Sequence, residues 1–149
     1  MSWSGHWHGY GPWIGTRDSY GAENLRRPGT SPNDEQTRVF LSQTLPPMQL
    51  GHWLMRRDQT AADRTWTEVT GAVNWLRESY DANPPMERDD GRQAYVDLDT
   101  KTRYAADSLP RGVDVSWVHY MRSQNLVSFS VVCCPHRFHP RTPCPLPPG

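Results

Sequence analysis

The chain carries no charge excess: 16 basic residues balance 16 acidic ones over 149 positions. That argues against a general nucleic-acid binder, which needs a basic surplus for phosphate contacts. No apolar run approaches the roughly 20 residues that span a bilayer, so no membrane segment is expected. Cysteine is scarce. Cys133, Cys134 and Cys144 are an odd number and too few for a disulfide framework. The first ten residues lack both the basic and the apolar regions of a secretory signal. Together these absences point to a cytoplasmic protein. The familiar catalytic signatures are missing too: there is no Gly-x-Ser-x-Gly, no His-Glu-x-x-His and no Walker phosphate loop. Gly9-Tyr-Gly11-Pro-Trp-Ile-Gly15 imitates a dinucleotide loop, but no expected strand precedes it and Pro12 removes a donor that a phosphate would need. Neither a cofactor nor a resident metal is expected.

Aromatic rings and chain breakers are abundant, with seven Trp, six Tyr, 14 Pro and 11 Gly. The breakers gather at the ends: six Gly fall within residues 1–30 and six Pro between positions 135 and 148. The expected organisation is an irregular Gly/Trp-rich arm over 1–30, one α+β domain over 31–134 and a Pro-rich tail over 135–149. A chain of this length buries roughly 70% of its unfolded surface, enough for one core. The arm carries Trp3, Trp7, Tyr10, Trp13 and Tyr20, rings costly to leave in water, so it should drape over the domain.

Ser31, Pro32, Asp34 and Glu35 suit a helix start, with Phe40 and Leu41 on its buried side and Pro46-Pro47 beyond its end. Alternation of Met48, Leu50, His52 and Leu54 reads as a strand. Trp66, Val69, Val73, Leu76 and Tyr80 recur at helical spacing, which predicts one long amphipathic helix over about 60–81. Tyr95–Asp99 alternates as a strand, with Arg103–Ala106 returning beside it. Val113–Met121 and Leu126–Cys134 read as a hairpin closed by Arg122–Asn125. The fold class is therefore α+β: N-terminal helices, the long one included, packed on a mostly antiparallel sheet of four or five strands. This order of elements is similar to that of cone-shaped isomerase and cyclase folds, although no motif is shared.

A four-residue hairpin loop sets Trp117 opposite Ser130 and His119 opposite Ser128, on one face. A few polar groups in an apolar wall is how ligand pockets are lined. Trp117, His119, Ser128 and Ser130 are thus the candidate ligand-binding residues, and a small cytoplasmic domain binding a small molecule is the leading functional reading. An alternative is a small cofactor-free enzyme of isomerase, cyclase or lyase type in the same pocket. There His119 acts as acid or base, since its ordinary pKa lies near neutrality, and Asp97 assists. A second alternative is a protein-interaction or accessory subunit. At 100° per residue Trp75 falls about 140° from the centre of the helical stripe, which makes it the candidate interface residue, for a homodimer or another protein. Cys133, Cys134, His136, His139 and Cys144 form the densest set of metal-capable residues. They lack paired Cys-x-x-Cys knuckles, and adjacent Cys133 and Cys134 cannot both face one way on a strand. His6 and His8 would complete a site only if the arm folds back.

Overall fold

A computed structural model describes residues 3–87 and 96–148. Its centre is a four-stranded antiparallel sheet in the order β2-β1-β4-β3. The strands are β1 (His6–Gly15), β2 (Thr65–Trp66), β3 (Val115–Tyr120) and β4 (Leu126–Cys134). The helices are α1 (Arg17–Tyr20), α2 (Glu35–Ser42), α3 (Val69–Ala82) and α4 (Leu98–Ser108). The α+β class and the antiparallel sheet agree with the sequence pattern. No helix among the described residues is long and apolar enough to cross a membrane.

The N-terminal segment departs most from expectation. Residues 6–15 are a strand, inserted between β2 and β4 at the middle of the sheet. The alternation hides in small residues: Trp7 and Gly9 face one side, His6, His8 and Tyr10 the other. Gly9 is a close-approach site, since a Cβ there would lie 2.9 Å from the Trp66 ring and 3.2 Å from that of Trp75. A bulge between Tyr10 and Trp13 then bends β1, with Gly11 at φ +95°, a conformation open to glycine at little cost.

The helix expected over about 60–81 forms only in its C-terminal two thirds. Thr65 and Trp66 pair with His8 and Trp7 of β1, so the ladder captures them before the helix starts at Val69. Within α3, Val73, Leu76 and Tyr80 are buried, and this stripe packs on one sheet face with Trp7, Trp117, Val127, Phe129, Val131 and Cys133. Trp7 Nε1 donates to Leu109 O at 3.1 Å, tying the central strand to the end of α4.

The opposite face is covered by a 3₁₀ segment, Leu50–Met55, where a strand was expected. Trp53 and Leu54 from it pack on Tyr10, Val132 and Cys134, with Cys144 of the tail alongside. The first helix starts later than read, with Asp34 as its cap accepting from Thr37 N. The Tyr95–Asp99 strand and its Arg103–Ala106 partner are also corrected. Asp97 caps α4, and Leu98–Ser108 is helical, burying Ala105. Tyr95 itself lies outside the described residues.

Candidate metal centre

Strand geometry builds the site. His6 and His8 sit two residues apart on β1 and so project from the same face, and Cys134 of β4 is the direct cross-strand partner of His6. Cys133 turns to the other face, its Sγ 3.9 Å from Leu109 O in the α3-side core. The tail after β4 then returns Cys144 to this corner. One donor atom from each of His6, His8, Cys134 and Cys144 lies within 4.8 Å of every other, the one such group among the described residues.

The spacings suit one small cation. His6 Nε2 and His8 Nε2 are 3.0 Å apart, and Cys144 Sγ lies 3.3 Å from His6 Nε2 and 3.7 Å from His8 Nε2. A tetrahedral zinc with Zn–N of about 2.0 Å and Zn–S of about 2.3 Å has edges of about 3.3 Å between nitrogens and about 3.5 Å between nitrogen and sulfur. The three edges among His6, His8 and Cys144 fall within a few tenths of these, and Cys134 lies within 4.8 Å of each.

Tautomers agree with the distances. Thr65 Oγ1 donates to Ala61 O at 2.9 Å, so it accepts from His8 Nδ1–H, also at 2.9 Å. That leaves the His8 Nε2 lone pair facing the cluster, the arrangement a metal-bound histidine needs. Burial, with His6 beside it, pushes His8 down to about 4, and burial lowers His6 as well. Both imidazoles are therefore neutral at pH 7. Burial and the neighbouring Cys144 thiol push Cys134 up to about 12. The Cys134 thiol thus resists ionising until a cation compensates it, and a bound metal reverses that balance. Two thiolates, two neutral imidazoles and one divalent ion sum to zero charge, which lowers the cost of burying the site.

The other ligand-capable residues lie elsewhere. His136 Nε2 donates to Asp114 Oδ2 at 2.5 Å and its Nδ1 accepts from Phe138 N at 3.2 Å, so both ring nitrogens are committed. His139 lies between His136 and His52, its ring tilted against both with centroids 5.1 and 4.6 Å away. Of the cysteine–histidine run, only Cys134 and Cys144 reach the site.

The pocket residues are divided by register. The hairpin loop has five residues, since Tyr120 pairs with Leu126, and its left-handed residue is Gln124 at φ 70°. Trp117 therefore opposes Phe129 and His119 opposes Val127, while Ser130 opposes Ser116 and Ser128 opposes Val118. Trp117 and His119 face the α3 side. Ser128 and Ser130 face the other, with Ser130 Oγ donating to Ser116 Oγ at 2.9 Å. A one-residue slip moves every side chain to the opposite face. The four residues share no wall.

His119 is buried, with its Nε2 2.6 Å from Asn83 O and its ring beside Tyr80. Asp97 is exposed and sits at the start of α4. Trp75 is half-buried, 5.7 Å from Trp66 and 6.3 Å from Phe129 by ring centroids, so much of its ring packs on this chain's own sheet. The signal for the metal cluster was present as His-x-His. It was obscured because Gly5, Gly9 and Gly11 made the segment look irregular. No protein-family model matches the chain, and neither a curated protein nor a solved structure shows significant similarity to it.

Proposed function

We propose that this protein is a zinc-binding domain in which His6, His8, Cys134 and Cys144 hold one structural zinc ion. The observation that carries the reading is the convergence of four nitrogen and sulfur donors, from β1, β4 and the tail, within 4.8 Å of one another. Two imidazoles and two thiolates favour zinc over the hard cations, which prefer oxygen. Four protein ligands leave no open position for water or substrate, which argues for a structural centre and not a hydrolytic one.

The ion would clasp the tail onto the central strand pair and so hold the second layer of the core in place. Thiolate ligands must stay reduced, which fits a reducing cytoplasm. The test is elemental analysis of protein purified without chelator, combined with thermal melting before and after chelation. One equivalent of zinc, and a large fall in Tm on its removal, is expected. A metal-free, equally stable protein would overturn the reading, as would a Cys134–Cys144 disulfide in freshly purified material.

A further inference from the structure

A second feature, separate from the metal centre, lies where β1 bends. Gly11 of the bulge and Trp13 just after it, with Thr44, Trp53, Gln59 and Arg64, surround a cleft of about 400 Å³. Its lining contains two indole rings and one guanidinium, and no carboxylate. Arg64 spends two of its five donors on carbonyls, to Gly11 O at 2.9 Å and Gln59 O at 3.3 Å. Among the described residues it has no acidic partner.

Behind the Trp53 wall stands a second uncompensated cation. Arg56 is 1% exposed, with its guanidinium carbon 5.0 Å from the Trp53 ring centroid and 4.1 Å from that of Phe40. It donates to Phe40 O at 3.0 Å and Leu45 O at 2.7 Å. Among the described residues its Nη2 has no hydrogen-bond partner, nor does the buried Nε1 of Trp53 or the hydroxyl of Tyr10, which stacks on Trp53. Buried charges are ordinarily paired, because an unpaired one loses its hydration without recompense. At the cleft itself Arg64 keeps three of its five donors uncommitted among the described residues, and no carboxylate lines the wall.

We propose that this cleft binds a small organic anion carried on an aromatic ring, the ring against Trp13 and Trp53 and the carboxylate or phosphate toward Arg64. Indole faces supply the apolar contact, and arginine is the side chain whose fork matches planar oxyanions. The bulge at Gly11 and Pro12 bends β1 beside the cleft before Trp13 rejoins the ladder opposite Ser128, and bulges commonly stand next to binding sites.

The test uses the full chain supplied with zinc and three probes followed by calorimetry: naphthalene-2-carboxylate, its neutral carboxamide, and phenyl phosphate. The expected result is at least tenfold tighter binding of an anion than of the carboxamide, lost as salt is raised. Whichever anion binds better identifies the head group. Thr44→Glu, an exposed rim position, should abolish the preference by placing a negative charge at the mouth without disturbing packing. Arg64→Gln should do the same, and Trp13→Ala should weaken all three probes. Equal affinity for carboxylate and carboxamide would overturn the proposal. So would no binding of either anion at millimolar concentration, or an anion preference that survives Thr44→Glu. Zinc content measured on the same samples keeps this outcome separate from that of the metal reading.

Discussion

Replacing Thr65 by Val changes almost nothing in shape, yet it should loosen the metal. The hydroxyl accepts from His8 Nδ1–H and donates to Ala61 O, both at 2.9 Å. His8 is fully buried, so water cannot readily replace the lost acceptor, and the ring is released from the tautomer that points Nε2 at the cluster. Outer partners of this kind typically account for 10- to 100-fold in metal affinity, or about 1.4–2.8 kcal/mol at 1.4 kcal/mol per decade. With free zinc well above Kd, that whole loss appears as lost stability. For a chain of this size it corresponds to a fall in Tm of roughly 3–11 °C. The assay is competition against a chromogenic zinc chelator, run beside Thr65→Ser, which keeps the hydroxyl and should stay near wild type. Thr102→Val, which removes a hydroxyl bonded only to Leu98 O within α4, should leave zinc affinity untouched. A Thr65→Val protein that binds zinc within threefold of wild type would refute the argument that Thr65 orients His8.

Other substitutions probe the rest of the structure. Cys133→Ala and Cys144→Ala alter cysteines of similar chemistry on opposite sides of the sheet. The first should keep one equivalent of zinc and lose about 1 kcal/mol from a small void, while the second should abolish stoichiometric binding, both read by elemental analysis. Leu76→Ala removes a fully buried α3 side chain from the centre of the core and should cost about 2–5 kcal/mol in denaturant unfolding. Burial, with His139, His136 and Arg56 close by, holds His52 down to about 4, below its ordinary 6.5. The unfolded chain therefore takes up this proton first, so the contribution of His52 to stability is intact above pH 6.5. It is lost as pH falls from there through about 4. In pH-dependent thermal melts His52→Gln should flatten that part of the profile, and an unchanged slope would contradict the assignment.

The pattern of the chain exposed some layers of this architecture and hid others. Leu126–Cys134 was legible to the residue because its β-branched and aromatic run is buried on both faces, which few other structures tolerate. Val73, Leu76 and Tyr80 were legible as a helical stripe for the same reason, burial. The start of α3 was not, because Trp66 fits the helical spacing equally well and only pairing with Trp7 makes it a strand residue. Residues 98–108 show the opposite failure: the alternating run Tyr95–Asp99 reads as a strand, whereas Asp97 stands at the N-cap position of a helix. The candidate pocket failed on a single residue of loop length, since Tyr120 pairs where Met121 was expected and the serines move to the far face. Half of the metal cluster lay in the densest cysteine–histidine run, and the other half in a segment whose glycines disguised a central strand. Its closure depends on contacts separated by 138 positions, between Cys144 and His6, and no local pattern encodes that distance.

Zinc K-edge X-ray absorption on protein purified without added metal or chelator addresses the central assignment most directly. One zinc per chain is expected, with a first shell of two nitrogens near 2.0 Å and two sulfurs near 2.3 Å, and with that signal lost in Cys144→Ala. A shell of oxygens alone, a shell unchanged by that substitution, or no bound zinc at all would contradict it.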